Sequence, residues 1–199
     1  MSGTWPSSPA FNAMPLRSES PTRTTVTHSL KRITRFSNSQ RWSFSCTYPP
    51  LTRDEFAPIH AFALSQNGQS ESFQIVLPKI SVPRGAVSGS PLVVGAGAIG
   101  DTTISIDGLA VSTLVWKAGD VIKFAGHSKV YMVSADATTD GAGAVTVSLF
   151  PALIAAVADN EAVTYTSVPF TVSLASDANE AVLTVPELYG LQFDFVESF

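Results

Sequence analysis

Charge is scarce in this chain: Asp, Glu, Lys and Arg together make 14% of the 199 residues. That is too little for a solvated, disordered polyelectrolyte, and 45% hydrophobic residues are ample for a packed core of one large domain or two small ones. Cysteine occurs once, at Cys46, which excludes an internal disulfide and a cysteine metal cluster. Long hydrophobic runs are missing as well. The longest, Ala152 to Ala158, is far short of the ~20 residues that cross a bilayer, and the amino terminus lacks the charged-then-apolar pattern of a leader, so no membrane contact and folding in a cytosol are expected. Acid is nearly absent from the first 53 residues, where Glu19 stands against Arg17, Arg23, Lys31, Arg32, Arg35, Arg41 and Arg53, a balance of +6. Residues 54–199 carry fifteen acidic and five basic residues, −10, and the two parts sum to the net −4. The basic residues lie along Thr- and Ser-rich segments without the aromatic interleaving of a stacking platform, so no nucleic-acid contact is expected. A surface that pairs with an acidic neighbouring copy accounts for the asymmetry as well.

The best-defined stretch runs from Gln40 to Gly68. In Arg41-Trp42-Ser43-Phe44-Ser45-Cys46-Thr47-Tyr48 every second residue is apolar, the period of a half-buried strand with Trp42, Phe44, Cys46 and Tyr48 inward. Pro49-Pro50 ends it, and Thr52-Arg53-Asp54-Glu55 reads as a capping box opening a helix to about Gln66, with Phe56, Ile59, Phe62 and Ala63 on its apolar side. Pro58 predicts a bend or two short helices. Before this stretch, Pro6, Pro9, Pro15 and Pro21 point to an extended arm lying on a partner or on its own sheet, with Trp5, Phe11 and Leu16 as anchors. Residues 23–36 are expected to be a strand pairing with 40–48, after a turn at Ser37-Asn38-Ser39. After the helix, Phe73, Ile75 and Leu77 mark another strand.

From about Pro83 to Asp177 Gly, Ala, Val and Thr dominate, and short strands are predicted at 91–94, 102–106, 121–124, 129–134, 144–149 and 162–174, with turns at Asp107-Gly108, Gly119-Asp120, Gly126-His127 and Asp140-Gly141. Six short strands suggest a small barrel, with residues 151–158 as its one helical piece. Strands at 181–185 and 189–197 then resume the aromatic alternation in Tyr189, Leu191, Phe193 and Phe195. The resulting division is an outer β-domain with its amino-terminal arm (residues 1–85), an inserted β-domain (86–175) and the outer domain's last strands (176–199).

No constellation carries chemistry. Gly95-Ala96-Gly97-Ala98-Ile99-Gly100 matches the dinucleotide fingerprint literally, with Asp120 at the distance of a ribose-binding acid, but a strand pattern rather than a helix follows, so a flexible loop is the reading. His28, His60 and His127 are isolated, and His127 between Gly126 and Ser128 suits a turn. Asp54 and Glu55 belong to a helix first turn. Asp159 and Glu161 are expected to be solvated, and Cys46 to be a buried structural thiol. No catalytic, cofactor-binding or metal-ligating residue and no cofactor is expected.

Residues 40–56, Gln-Arg-Trp-Ser-Phe-Ser-Cys-Thr-Tyr-Pro-Pro-Leu-Thr-Arg-Asp-Glu-Phe, followed by a short helix, Gly68 and a strand, resemble the distal tail and minor tail proteins of long-tailed phages. Residues 116–127, Trp-Lys-Ala-Gly-Asp-Val-Ile-Lys-Phe-Ala-Gly-His, are similar to a β-segment of several phage structural proteins. The resemblance implies an all-β fold with minor α content: a split β-barrel of the tail-tube type with an inserted small β-barrel and one or two short helices. It further implies a non-enzymatic structural virion protein of the tail tip or baseplate, assembled in the host cytoplasm. Its expected state is a homo-hexameric ring between the tail tube protein and the hub. The alternative is a host-surface or carbohydrate-binding module, which would require exposed aromatics among Trp116, Phe124, Tyr131, Phe150, Tyr165 and Phe170.

Overall fold

The computed structural model describes residues 3–37, 39–184 and 188–199. Among these lie strands β1 (Leu16–Glu19), β2 (Thr22–Val26), β3 (Arg32–Phe36) and β4 (Arg41–Thr47), then helix α1 (Arg53–Ser65) and β5 (Phe73–Val76). There follow β6 (Gly89–Val93), β7 (Thr103–Leu109), β8 (Leu114–Trp116), β9 (Val121–Phe124), β10 (Val130–Val133), β11 (Ala137–Thr138), β12 (Val145–Phe150) and β13 (Val163–Thr164). The last are β14 (Pro169–Leu174), β15 (Ala181–Thr184) and β16 (Leu188–Glu197). The fold is all-β with a single helix, as the sequence predicts. Two compact units form: one from Met1–Glu19, Arg41–Val76 and Phe170–Phe199, the other from Ser20–Gln40 and Leu77–Pro169.

The first unit is a sheet in the order β1-β4-β16-β14-β5, with β15 pairing along the first half of β16. The alternation of β4 is realised: Trp42, Phe44, Cys46 and Tyr48 are buried while Ser43, Ser45 and Thr47 are half-exposed. Opposite them Leu191, Phe193 and Phe195 of β16 are buried, with Phe195 in register with Phe44. The amino-terminal arm lies on its own sheet. Trp5 donates its backbone N–H to Gln74 O at 2.7 Å and its indole N–H to Tyr48 Oη at 2.8 Å, and its ring packs on Phe62, Phe73, Phe193 and Phe195.

Helix α1 covers the same aromatic surface with Ile59 and Ala63 buried and Phe62 against Trp5 and Phe73. It runs unbroken through Pro58 rather than as two short pieces. Pro58 sits in the second turn, so only its own bond back to Asp54 is lost, and the capped first turn remains. The helix ends where Asn67 and Gly68 take positive φ (52° and 66°), as the sequence indicates.

The second unit contains a sheet in the order β13-β9-β10-β12-β7-β6, and a bridge between Leu92 and Ala162 brings its edges together into a nearly closed barrel. Ile104, Ile106, Val133, Val147, Leu149 and Phe124 fill it. Two short strands that the sequence did not announce, β8 and β11, pair beside it.

Four expectations are corrected. Residues 151–158 are not helical: the Leu153 and Val157 N–H groups go to Asp101 O (2.8 Å) and Gly97 O (3.0 Å), so the apolar run is an irregular strap held across the 97–101 loop instead of bonding to itself. Asp107-Gly108 is not a turn but lies within β7, where Gly108 (φ 75°) serves a register irregularity against β6. The predicted strand 162–174 is two strands, β13 and β14, in different units. Finally, 23–36 does not pair with 40–48: β2 and β3 pair with each other, and β1 takes the edge of β4. All ten residues of β2 and β3 are exposed, since Thr and Arg dominate both faces and the apolar Val26, Ile33 and Phe36 are divided between them. Asn38 of the expected turn and Val185 of the expected strand lie outside the described residues.

Candidate assembly surfaces

Most of the candidate chemical residues are used by the fold. Cys46 is fully buried, and burial, with Asp194 as a lesser cause, pushes its thiol up to about 12, an inert state. In the glycine loop the N–H groups of Gly95, Gly97, Ala98 and Gly100 are taken by Asp159 Oδ1 (2.8 Å), Val157 O (2.9 Å), Asp101 Oδ2 (2.7 Å) and Leu153 O (2.8 Å). None is directed at a ligand, and β7 follows the loop where a phosphate cradle needs a helix. Asp120 is buried; its carboxylate accepts from the N–H groups of Arg84 (3.1 Å) and Lys117 (2.8 Å) and pairs with Arg84 Nε at 3.1 Å, closing the turn before β9.

Asp159 and Glu161, expected to be solvated charges, are loop clamps: Glu161 accepts from Gly126 N at 2.5 Å and Ala158 N at 2.9 Å. His127 Nε2 lies 2.8 Å from Tyr131 Oη, and burial lowers its pKa. His60 stacks on Phe56 at 4.9 Å, and His28 stands exposed in the β2–β3 turn. Among the described residues no group of three or more His, Cys, Asp or Glu is placed to hold a metal.

Surfaces remain. The hairpin of β2 and β3 carries Arg23, Lys31, Arg32 and Arg35, all exposed, and residues 20–40 contain no acid. Register sets Arg23 directly opposite Arg35. None of the four is in an ion pair among the described residues. At the turn Leu30 takes φ 61° and exposes 84% of its surface, and Val26, Ile33 and Phe36 are exposed too.

In the first unit the outer face of the sheet is polar. A groove of about 510 Å³ runs beside Thr47, Glu180, Val182, Gln192 and Asp194, and a second of about 560 Å³ beside Arg17, Glu19, Ser43, Ser45 and Asp194. Asp194 and Glu180 are exposed and have no cationic partner among the described residues, whereas Glu19 stands 3.9 Å from Arg41. The charge asymmetry read from the sequence thus becomes two local features, a basic hairpin and an acidic groove.

Sequence reasoning missed Lys129, which is fully buried with Nζ donating to Gln40 O (2.9 Å) and Oε1 (2.7 Å). Its only sequence signal is a lysine flanking an apolar strand, which ordinarily marks solvent. Of the six aromatics that a sugar site would have needed, Trp116, Phe124, Tyr131 and Phe170 are buried in cores and Tyr165 is half-buried, leaving Phe150. No curated protein matches the chain. The family described as the B domain of distal tail protein pb9 matches residues 81–168, which fall inside the Leu77–Pro169 segment that builds the barrel. By that match the barrel is similar to a domain of a phage distal tail protein, which supports a structural role in a phage tail.

Proposed function

We propose that this protein is a ring subunit of the phage tail tip, six copies of which close into a cycle that joins the tail tube to the hub or baseplate. The observation that carries the reading is the distal-tail B-domain match over the barrel. Ring closure is supported by surfaces of opposite charge that are not the same patch, since contacts between unlike patches are heterologous and form cycles when the rotation closes. In this reading the barrel is an insert between β5 and β14 of the outer domain, the protein is not an enzyme, and it needs neither metal nor cofactor. Its partners are further copies of itself and other tail proteins, with no nucleic acid, and assembly takes place in the host cytoplasm. The sugar-binding alternative has little support, because its aromatics line cores.

Light scattering over a concentration series, with negative-stain images at low and high salt, tests the ring. Six-fold particles that loosen as salt rises are expected, because rim charges are screened beyond ~10 Å at 0.1 M ionic strength. A strict monomer at every concentration, or a two-fold dimer, would overturn the reading.

A further inference from the structure

The β2–β3 hairpin is hard to account for within one copy of the chain. A lone two-stranded hairpin is marginal in water. This one has ten exposed strand residues, like charges at Arg23 and Arg35 directly across the ladder, and a leucine in the left-handed region at its turn. Directly opposed arginines repel and weaken the pairing, and a branched side chain at φ 61° costs strain. The exposure and the charge repulsion are both relieved by the same thing, an acidic surface with room for an apolar tip, and the strained turn is what presents that tip.

We infer that the hairpin of one copy docks into the groove beside Glu180 and Asp194 of the next, with Leu30 as its apolar anchor. The inference rests on the ring reading and names the contact that drives it. Charge complementarity selects the occupant: the hairpin brings four cations and no acid, and the groove presents two carboxylates with no cationic partner among the described residues. The groove also offers the exposed side chain of Val182 as apolar wall, suited to a leucine tip. Since hairpin and groove are different patches, the contact runs head to tail and leaves one of each free on every open assembly. A polyanion such as DNA would also answer the positive charge, but it offers nothing to the exposed Leu30, Val26, Ile33 and Phe36.

The test uses the full-length chain. Arg23→Glu with Arg35→Glu, and separately Glu180→Lys with Asp194→Lys, should each raise the concentration for half-assembly about tenfold or more at low salt, and the four substitutions together should restore it. Mixing the two charge-reversed double variants should give a similar recovery, since the reversed hairpin of one faces the reversed groove of the other. Leu30→Gly should weaken assembly while leaving thermal unfolding of the monomer unchanged or raised, because glycine relieves the positive φ. A wild-type ring whose variants all assemble unchanged sinks the docking contact and leaves the ring standing. A wild-type chain that never assembles fails the ring and this inference together. Variants that assemble normally but lose binding to a random DNA duplex, followed by fluorescence anisotropy, would assign the hairpin to a polyanion instead.

Discussion

Trp5, Phe44, Phe73, Phe193 and Phe195 meet ring to ring in the first unit, whereas the barrel of the second is filled mostly by Val, Ile and Leu, with Trp116, Phe124 and Tyr131 as its large members. The contrast follows from shape. An open sheet must bury its face against other elements, here α1 and the Trp5 side chain of the arm, and large aromatic side chains reach across that gap. A barrel surrounds its own interior, so short β-branched residues from opposed strands fill it. The aromatic unit therefore depends on a few large contacts and the barrel on many small ones, and substitutions should sort accordingly.

The sharpest break is expected at Phe195, whose ring meets Trp5, Phe44, Phe73 and Phe193 and is 1% exposed. Phe195→Ala should cost about 3–5 kcal/mol, as large aromatic truncations in cores do. In chemical denaturation followed by Trp fluorescence it should lower the transition reported by Trp5 and Trp42. Removing Trp116 by Trp116→Phe isolates that signal from the barrel's. A loss below about 1 kcal/mol would mean the arm and helix do not share one core with the sheet.

The counterpart in the barrel is a backbone position. Gly108 has φ 75°, and a Cβ there would lie 2.5 Å from Ser90 O. Neither a flexible side chain nor solvent can yield, so Gly108→Ala should cost about 1–3 kcal/mol. Hydrogen exchange of the β6, β7 and β12 amides should report it while the β4 and β16 amides stay protected. Equal loss of protection in both sets would mean that the two units unfold as one.

The same contrast decides what can be read in the sequence. The faces of β4, β5 and β16 were legible because aromatic residues alternate with Ser, Asp and Gln between clear breakers, and only one register buries them. The barrel strands β9, β10 and β12 were legible from β-branched runs between Gly and Asp turns. What failed had no face to declare. Residues 151–158 are apolar without a helical period, so composition suggested a helix while their hydrogen bonds go to a distant loop. In the β2–β3 hairpin alternation exists, but both faces are mostly polar, and nothing local says whether it joins a sheet or stands alone. Strand β1 was hidden within a proline-rich arm, since Leu16 is the one residue of the strand that is not fully exposed. The excess of basic residues before residue 54 was plain in the sequence. Its acidic counterpart was not, because Glu180 and Asp194 come from different segments and meet only around a groove.

The smallest effect probes the edge of the aromatic unit. Thr52 caps α1, and the Glu55 carboxylate accepts from Thr52 N at 3.0 Å and Thr52 Oγ1 at 2.8 Å, which holds the Glu55 pKa below its ordinary value. Thr52→Ala removes the hydroxyl and keeps the backbone bond, so it should cost about 0.5–1 kcal/mol at neutral pH, the lower part of the range for cap truncations. A carboxyl whose pKa is depressed by folding adds stability that is present above the unfolded-state value and disappears as pH falls through the folded one. The gap between wild type and Thr52→Ala should therefore be constant above about pH 5 and narrow below the ordinary carboxylate pKa of ~4.3, as Glu55 takes up a proton in both proteins. Denaturant titrations at pH 7 and at successively lower pH measure that gap. If it widens on acidification, the hydroxyl binds the protonated rather than the ionised carboxyl, and the cap works in the opposite sense. Because α1 supports Phe62 against Trp5 and Phe73, even this exposed contact should be felt by the aromatic core, with the barrel's exchange pattern unmoved.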